Sequence, residues 1–236
     1  MGNIDANRQN LLNEISKKVS YEFNNIGLLN EALTHSSYAN ENKKRNIQHN
    51  ERLEFLGDSV LGIVISDYLY KNLSASQEGE LTKIRASIVC EPSLANSSIE
   101  LAMGKYLMLG KGEEVTGGRE RISILADTFE AVIGAIYLDG GLENAKKFIL
   151  SNLKNTIKDA IEGRIFQDYK THLQEIIQSK GNDKIEYEVI DEKGPDHNKI
   201  FYVQVKIGGE VIGKGSGKSK KEAEQKAAKE ALKKVV

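Results

Sequence analysis

Between Asn50 and Val64 the chain reads NERLEFLGDSVLGIV, and its apolar positions recur at the spacing of an α-helix. At about 100° per residue, Leu53, Leu56, Val60, Ile63 and Val64 gather on one side. Glu51, Glu54 and Asp58 gather on the other, with no lysine or arginine at i+4 to neutralise them. Gly62 falls on the acidic side, where a glycine is useful only to a closely approaching backbone. Ala126–Leu138, ADTFEAVIGAIYL, repeats the design: Phe129, Val132, Ile133 and Ile136 form the apolar side, and Asp127, Glu130 and Gly134 lie opposite. One acidic helix face is more often an ordinary wet surface. Two such helices crossing through glycines would gather Glu54, Asp58, Asp127 and Glu130 into one cluster. Like charges that close repel unless a cation sits among them. An all-oxygen donor set suits Mg²⁺, with Mn²⁺ as a substitute, and such ions take phosphate oxygens as further ligands. The pattern outlines a phosphodiester-hydrolysis site.

The other periodic stretches predict helices over 10–19, 28–33, 81–89, 94–103 and 145–161, with Gly140-Gly141 ending the second acidic helix. Residues 41–50, 72–80 and 104–118 read as breaks, so Glu78 is placed in a loop. From Asp168 the pattern changes. A helix over 170–180 is stopped by Gly181, and alternation predicts strands over 185–190, 200–207 and 210–217. Ser219 then opens a helix, with Glu222 closing a capping box. The expected architecture is an all-α N-terminal domain over 1–160, a linker over 161–166, and a small αβββα domain over 167–236.

Charge sharpens that division. From Gly213 to Val236 there are eight lysines and three acids, a net +5 that leaves −6 for the remainder of a chain of net charge −1. An acidic body with a basic end suits a polyanion held by one part and processed by the other. The single cysteine, Cys90, excludes an internal disulfide framework, and its place after Ile88-Val89 reads as a small core residue. No apolar run is long enough for a membrane span and none forms a signal-peptide core, so a cytoplasmic protein is expected. His35 beside Ser36 and Ser37 has neither a GxSxG elbow nor an orienting acid, and reads as a hydrogen-bonded structural histidine. The stretch GKGSGKS fails as a phosphate loop because Ile212 stands where the first glycine is required.

The box NERLEFLGDSV, with ALTHSSYANE before it and ADTFEAVIGAIYLDGG after it, closely resembles the ribonuclease III signature in the family's own order. The C-terminal pattern, with Gly194-Pro195-Asp196-His197 and the lysines around Ser219, looks like a double-stranded RNA-binding domain. The resemblance implies a helical endonuclease domain that cuts both strands of an RNA duplex. Mg²⁺ would sit on Glu54, Asp58, Asp127 and Glu130, with Glu130 weighing most in metal affinity and Asp58 and Glu130 carrying catalysis. Glu51 and Glu78 would support the active centre, and the products would bear 5′-phosphate and 3′-hydroxyl ends. Gln174, Glu175 and His197 would meet minor grooves, with Lys218, Lys220 and Lys221 on the phosphates between. Ribosomal RNA precursors and messenger RNA are the implied substrates, without an organic cofactor. The 104–118 connector would lie beside the duplex, or serve only as a flexible loop. Two strands call for two sites, hence a symmetric homodimer. Phe55, on the acid side of its helix, is expected at that interface. A binder without chemistry and a hydrolase of small phosphodiesters are the competing classes. Retention of all six acids argues against the first.

Overall fold

The computed structural model describes residues 4–163, 169–181, 184–195 and 199–235, and the side chains of all of these except Arg45, Thr171, His172 and Glu175. The chain separates into two compact units, Met1–Ile165 and Phe166–Val236. Of the expected linker, Ile161 closes a helix, whereas 164–166 lie outside the described residues.

The first unit is helical: α1 Ala6–Lys18, α2 Ile26–Ala32, α3 Ser36–Glu41, α4 Glu51–Asn72, α5 Glu78–Ile88, α6 Glu91–Glu100, α7 Lys111–Val115, α8 Ile122–Asn152 and α9 Lys154–Ile161. Helices α4 and α8 pack as its central pair. Leu53, Val60, Leu61, Val64 and Ile65 of α4 are buried with Phe129, Val132, Ile133 and Ile136 of α8 in one core. Their closest approach runs through backbone. A Cβ built on Gly57 would land on the carbonyl of Glu130, and one on Gly134 on the carbonyl of Leu53. The crossing glycine of α4 is therefore Gly57. Gly62, expected in that role, has open space around it. Ile63 also departs from expectation: it lies at the margin of the apolar stripe and is 59% exposed, on the face that carries Phe55 and Tyr70.

Several boundaries move: α1 starts at Ala6 rather than Asn10, and the helix expected over 145–161 is divided at Leu153 between α8 and α9. Glu78 is the first residue of α5, not a loop residue, and Gln77 stands at its N-cap. Gly140-Gly141 kinks α8 instead of ending it: Gly141 adopts φ 79° and ψ 179°, and helix resumes to Asn152. Cys90 sits half-buried at the N-cap of α6, its Sγ donating to the Ser87 carbonyl. The kink is pinned from outside. Asp139 accepts from the Tyr21 hydroxyl (2.9 Å) and from the backbone N–H groups of Asn24 and Asn25 (2.8 Å each).

The glycine-dense stretch after α6 is held in place. Arg119 donates to the carbonyls of Gly104 (2.8 Å) and Leu107 (2.9 Å), and its Nε and Nη2 grip Glu114. The half-buried Arg8 donates to the neighbouring Tyr106 carbonyl, and burial lowers its pKa to about 10. Among the described residues, no helix is long and apolar enough to cross a membrane.

In the second unit α10 (Tyr169–Lys180) precedes an antiparallel sheet of β1 (Ile185–Lys193), β2 (Ile200–Ile207) and β3 (Glu210–Gly217), and α11 (Lys220–Val235) closes the domain. The first strand runs three residues past its predicted end because a bulge at Ile190 lets pairing continue to Lys193. Leu173, Ile177, Val203, Val205, Ala227, Ala228 and Ala231 form its core. Helix α11 lies flush on β3: Gly213, Gly215 and Gly217 face Ala223, Ala227 and Ala231, and a Cβ on any of the three glycines would strike the helix.

Candidate active site and nucleic-acid interface

The crossing of α4 and α8 sets the carboxylates. With no side chain at Gly57 or Gly134, the helices come close enough for acids flanking the glycines to converge. Glu54, Asp127 and Glu130 each offer an oxygen within 4.8 Å of the others, and all three are half-buried. Asp58 lies outside this triad but near enough to act on its charge. Burial raises the Glu130 carboxyl to about 8, and Asp58, Glu54 and Asp127 push the same way. Burial likewise raises Glu54, with Asp127, Glu51 and Asp58 adding to it. Asp127 is raised by burial and by Glu91, with His35 opposing.

The three shifts share one physical cause, since crowded carboxylates half-shielded from water carry their charge poorly alone. The donors are all carboxylate oxygens, half-shielded from water, and held to one small volume by backbone contact. A hard divalent ion fits such a set.

Glu78 is elsewhere. With Ile63, Ser66, Asp67, Tyr70, Leu81, Thr82 and Arg85 it lines a groove between α4 and α5, and its carboxylate accepts from the Thr82 hydroxyl at 3.1 Å. Phe55 is 77% exposed. His35 has the structural place expected of it: it caps α3, and its Nδ1 lies 2.8 Å from the Ser37 hydroxyl. That hydroxyl oxygen also accepts from the backbone N–H of Gly110. The connector is thereby tied to the segment beside Asp127, a link that sequence spacing does not signal. Glu91, whose charge reaches Asp127, was likewise not singled out; it opens a separate helix with no motif of its own.

In the second unit Lys218, Lys220 and Lys221 are exposed around the start of α11. The cap forms as predicted on one side, with the Glu222 N–H donating to the Ser219 hydroxyl at 3.2 Å. The Glu222 carboxylate reaches one residue further back than a standard box, to the N–H of Lys218. Gln174 is exposed on α10, whereas the Glu175 side chain and His197 lie outside the described residues.

A carboxylate centre at a helix crossing, followed by an αβββα domain with a cationic helix start, defines a nucleic-acid hydrolase with its own binding domain. Known proteins carry the same two parts. Residues 25–157 match the family model described as Ribonuclease-III-like, and 169–235 match the double-stranded RNA binding motif. The chain is 56% identical to Ribonuclease 3 of Caldanaerobacter subterraneus subsp. tengcongensis over 95% of its own length and 98% of that protein. It is 54% identical to Ribonuclease 3 of Clostridium tetani, covering 94% and 93%. Among solved structures, it resembles the nuclease domain of ribonuclease III from Campylobacter jejuni, with a TM-score of 0.56 and 40% identity. That match covers 60% of this chain and 95% of that one. The chain belongs to the ribonuclease III family, endoribonucleases specific for double-stranded RNA.

Proposed function

We propose that the chain hydrolyses both strands of an RNA duplex in a Mg²⁺-dependent reaction, leaving 5′-phosphate and 3′-hydroxyl ends. The observation that carries this reading is the carboxylate triad at the Gly57–Gly134 crossing. Glu54, Asp127 and Glu130 would hold the ion, with Asp58 completing the set from its border. When bound, the ion supplies Lewis acidity for the scissile phosphate and the attacking water. The chain's own contribution is to keep these carboxylates converged, so that an ion would meet all of its donors at once. Glu130, raised to about 8 by burial and by its acidic neighbours, would give up its proton to the ion, and the family resemblance assigns it the greatest weight in metal affinity. Glu51 adds negative charge at the outer edge of the cluster.

The second strand needs a second centre, and an isologous homodimer supplies it. Support comes from the uncovered apolar face of α4, where Phe55, Ile63 and Tyr70 are all exposed. The Campylobacter jejuni relative is described by a region involved in dimer formation of its nuclease domain. Glu78 sits in the groove bordered by Ile63 and Tyr70, so its supporting role would be played across that pairing. Lys218, Lys220 and Lys221 would take phosphates of the duplex, with Gln174, Glu175 and His197 at the minor grooves. Ribosomal RNA precursors and messenger RNA in the cytoplasm are the substrates this reading entails.

The deciding experiment incubates purified protein with a long RNA duplex, with and without Mg²⁺, beside Glu130→Gln. Metal-dependent cutting that the variant loses while still binding duplex supports the reading. A wild-type protein that binds duplex and never cuts it refutes the chemistry.

A further inference from the structure

The three lysines around the start of α11 are not equivalent. Among the described residues, only Lys220 of the three forms an ion pair. Its Nζ lies 3.7 Å from Glu192 Oε1, and the other oxygen of Glu192 lies 3.3 Å from Lys199 Nζ. Glu192 on β1 is the cross-strand partner of Phe201 on β2. The Lys220 ammonium sits 5.6 Å from the centre of the Phe201 ring, so an aromatic face and a carboxylate share one cation. We infer that Glu192 is a built-in competitor, a carboxylate that occupies the phosphate position at Lys220 until a duplex displaces it. The inference rests on the reading of this helix start as a phosphate-binding surface.

Two effects of Glu192 oppose each other, and their sizes decide the sign. Bridging Lys199 and Lys220 could help by holding β2 and α11 in register. That register is already fixed by the strand ladder and by the backbone contact of Gly213, Gly215 and Gly217 with α11. Phe201 keeps the ammonium in place when the carboxylate is gone. The other effect is unfavourable and has no such substitute. An RNA phosphate reaching Lys220 meets a carboxylate at the same cation, and the pair must separate first. Competition therefore outweighs positioning. Glu192 lowers affinity for any polyanion that reaches Lys220.

The test measures binding of full-length protein to an RNA duplex in metal-free buffer, over a series of salt concentrations. Glu192→Gln is expected to bind about two- to five-fold more tightly at low salt, the range an exposed ion pair supplies, with the gain fading as salt rises. In a Lys220→Gln background the same change is expected to give no gain. Unchanged or weaker binding by Glu192→Gln overturns the inference, as does a gain that persists without Lys220. Lys218→Gln and Lys221→Gln separate the two levels. If they bind like wild type, the phosphate-surface reading falls and the competitor falls with it. If they weaken binding while Glu192→Gln brings no gain, only the competitor role falls.

Discussion

Gly57 lies directly beneath the carbonyl of Glu130, so the closest contact between α4 and α8 is made by the backbone of a carboxylate residue. Any side chain at residue 57 pushes that residue away. Gly57→Ala should cost on the order of 1–3 kcal/mol through overpacking. It should weaken Mn²⁺ binding more than Gly62→Ala, whose Cβ enters open space. Thermal melts and metal titrations of the two variants check this. Equal behaviour would mean that the crossing does not set the cluster.

The triad makes the metal-free protein sensitive to alkali. The Glu130 carboxyl is pushed up to about 8 in the fold from 4.5 for a free side chain, so the folded state binds the extra proton between those values. That stabilisation is whole below about pH 4.5 and is lost as the pH rises through 8. Glu130→Gln, which cannot ionise, should therefore melt higher than wild type in metal-free buffer above pH 8. A rise of about 2–4 °C corresponds to ~1 kcal/mol in a chain of this size. The advantage should vanish near pH 5. In wild type, Mn²⁺ affinity should climb as the pH approaches 8, since binding expels the proton.

Asp139 anchors the kink of α8 to the segment before α2. Burial pushes its pKa up, but the hydrogen bonds from Asn25, Asn24 and Tyr21 outweigh burial and hold it below the usual carboxylate value. Its contribution is present above the unfolded value of about 3.8 and disappears as the pH falls through the folded one. Asp139→Ala should destabilise the helical unit by about 1–3 kcal/mol at pH 7, since several donors lose their acceptor together. The deficit should narrow in acid. A urea melt at two pH values measures both effects.

Phe55 is the most exposed aromatic on the open face of α4. Phe55→Glu should shift sedimentation from a dimer mass toward a monomer mass and lower duplex cleavage with it. A wild-type monomer, or an unaltered dimer in the variant, would remove the two-site explanation for cutting both strands.

Much of this was legible in the chain because its signals are periodic. The acids at Glu54, Asp127 and Glu130 and the glycine at Gly134 carry their positions in helical phase, and the strands of the second domain carry theirs in alternation. The misplacements have local causes. Gly62 falls among the acids by helical phase while Gly57 falls on the buried side between Leu53 and Leu61, and only the partner helix shows which of them it approaches. Ile63 sits at the edge of the apolar stripe, where burial depends on whether another element covers it. Glu78 reads as a loop residue because the capping position before it, Gln77, offers no standard start signal. The ties of Arg119 to Glu114 and of Ser37 to Gly110 involve residues with no repeat or motif, so spacing is silent about them.

Where Gly213 and Gly215 meet Ala223, Ala227 and Ala231, the thickness of the domain is set by backbone against backbone. Such a seam has no rotamers to shuffle and no side-chain volume to trade. The cationic end of α11 is thus mounted on the sheet as stiffly as the hydrogen-bond ladder itself. Under the proposed function, duplexes of unequal groove width would be met by the reach of the lysine side chains rather than by a shift of the helix that carries them.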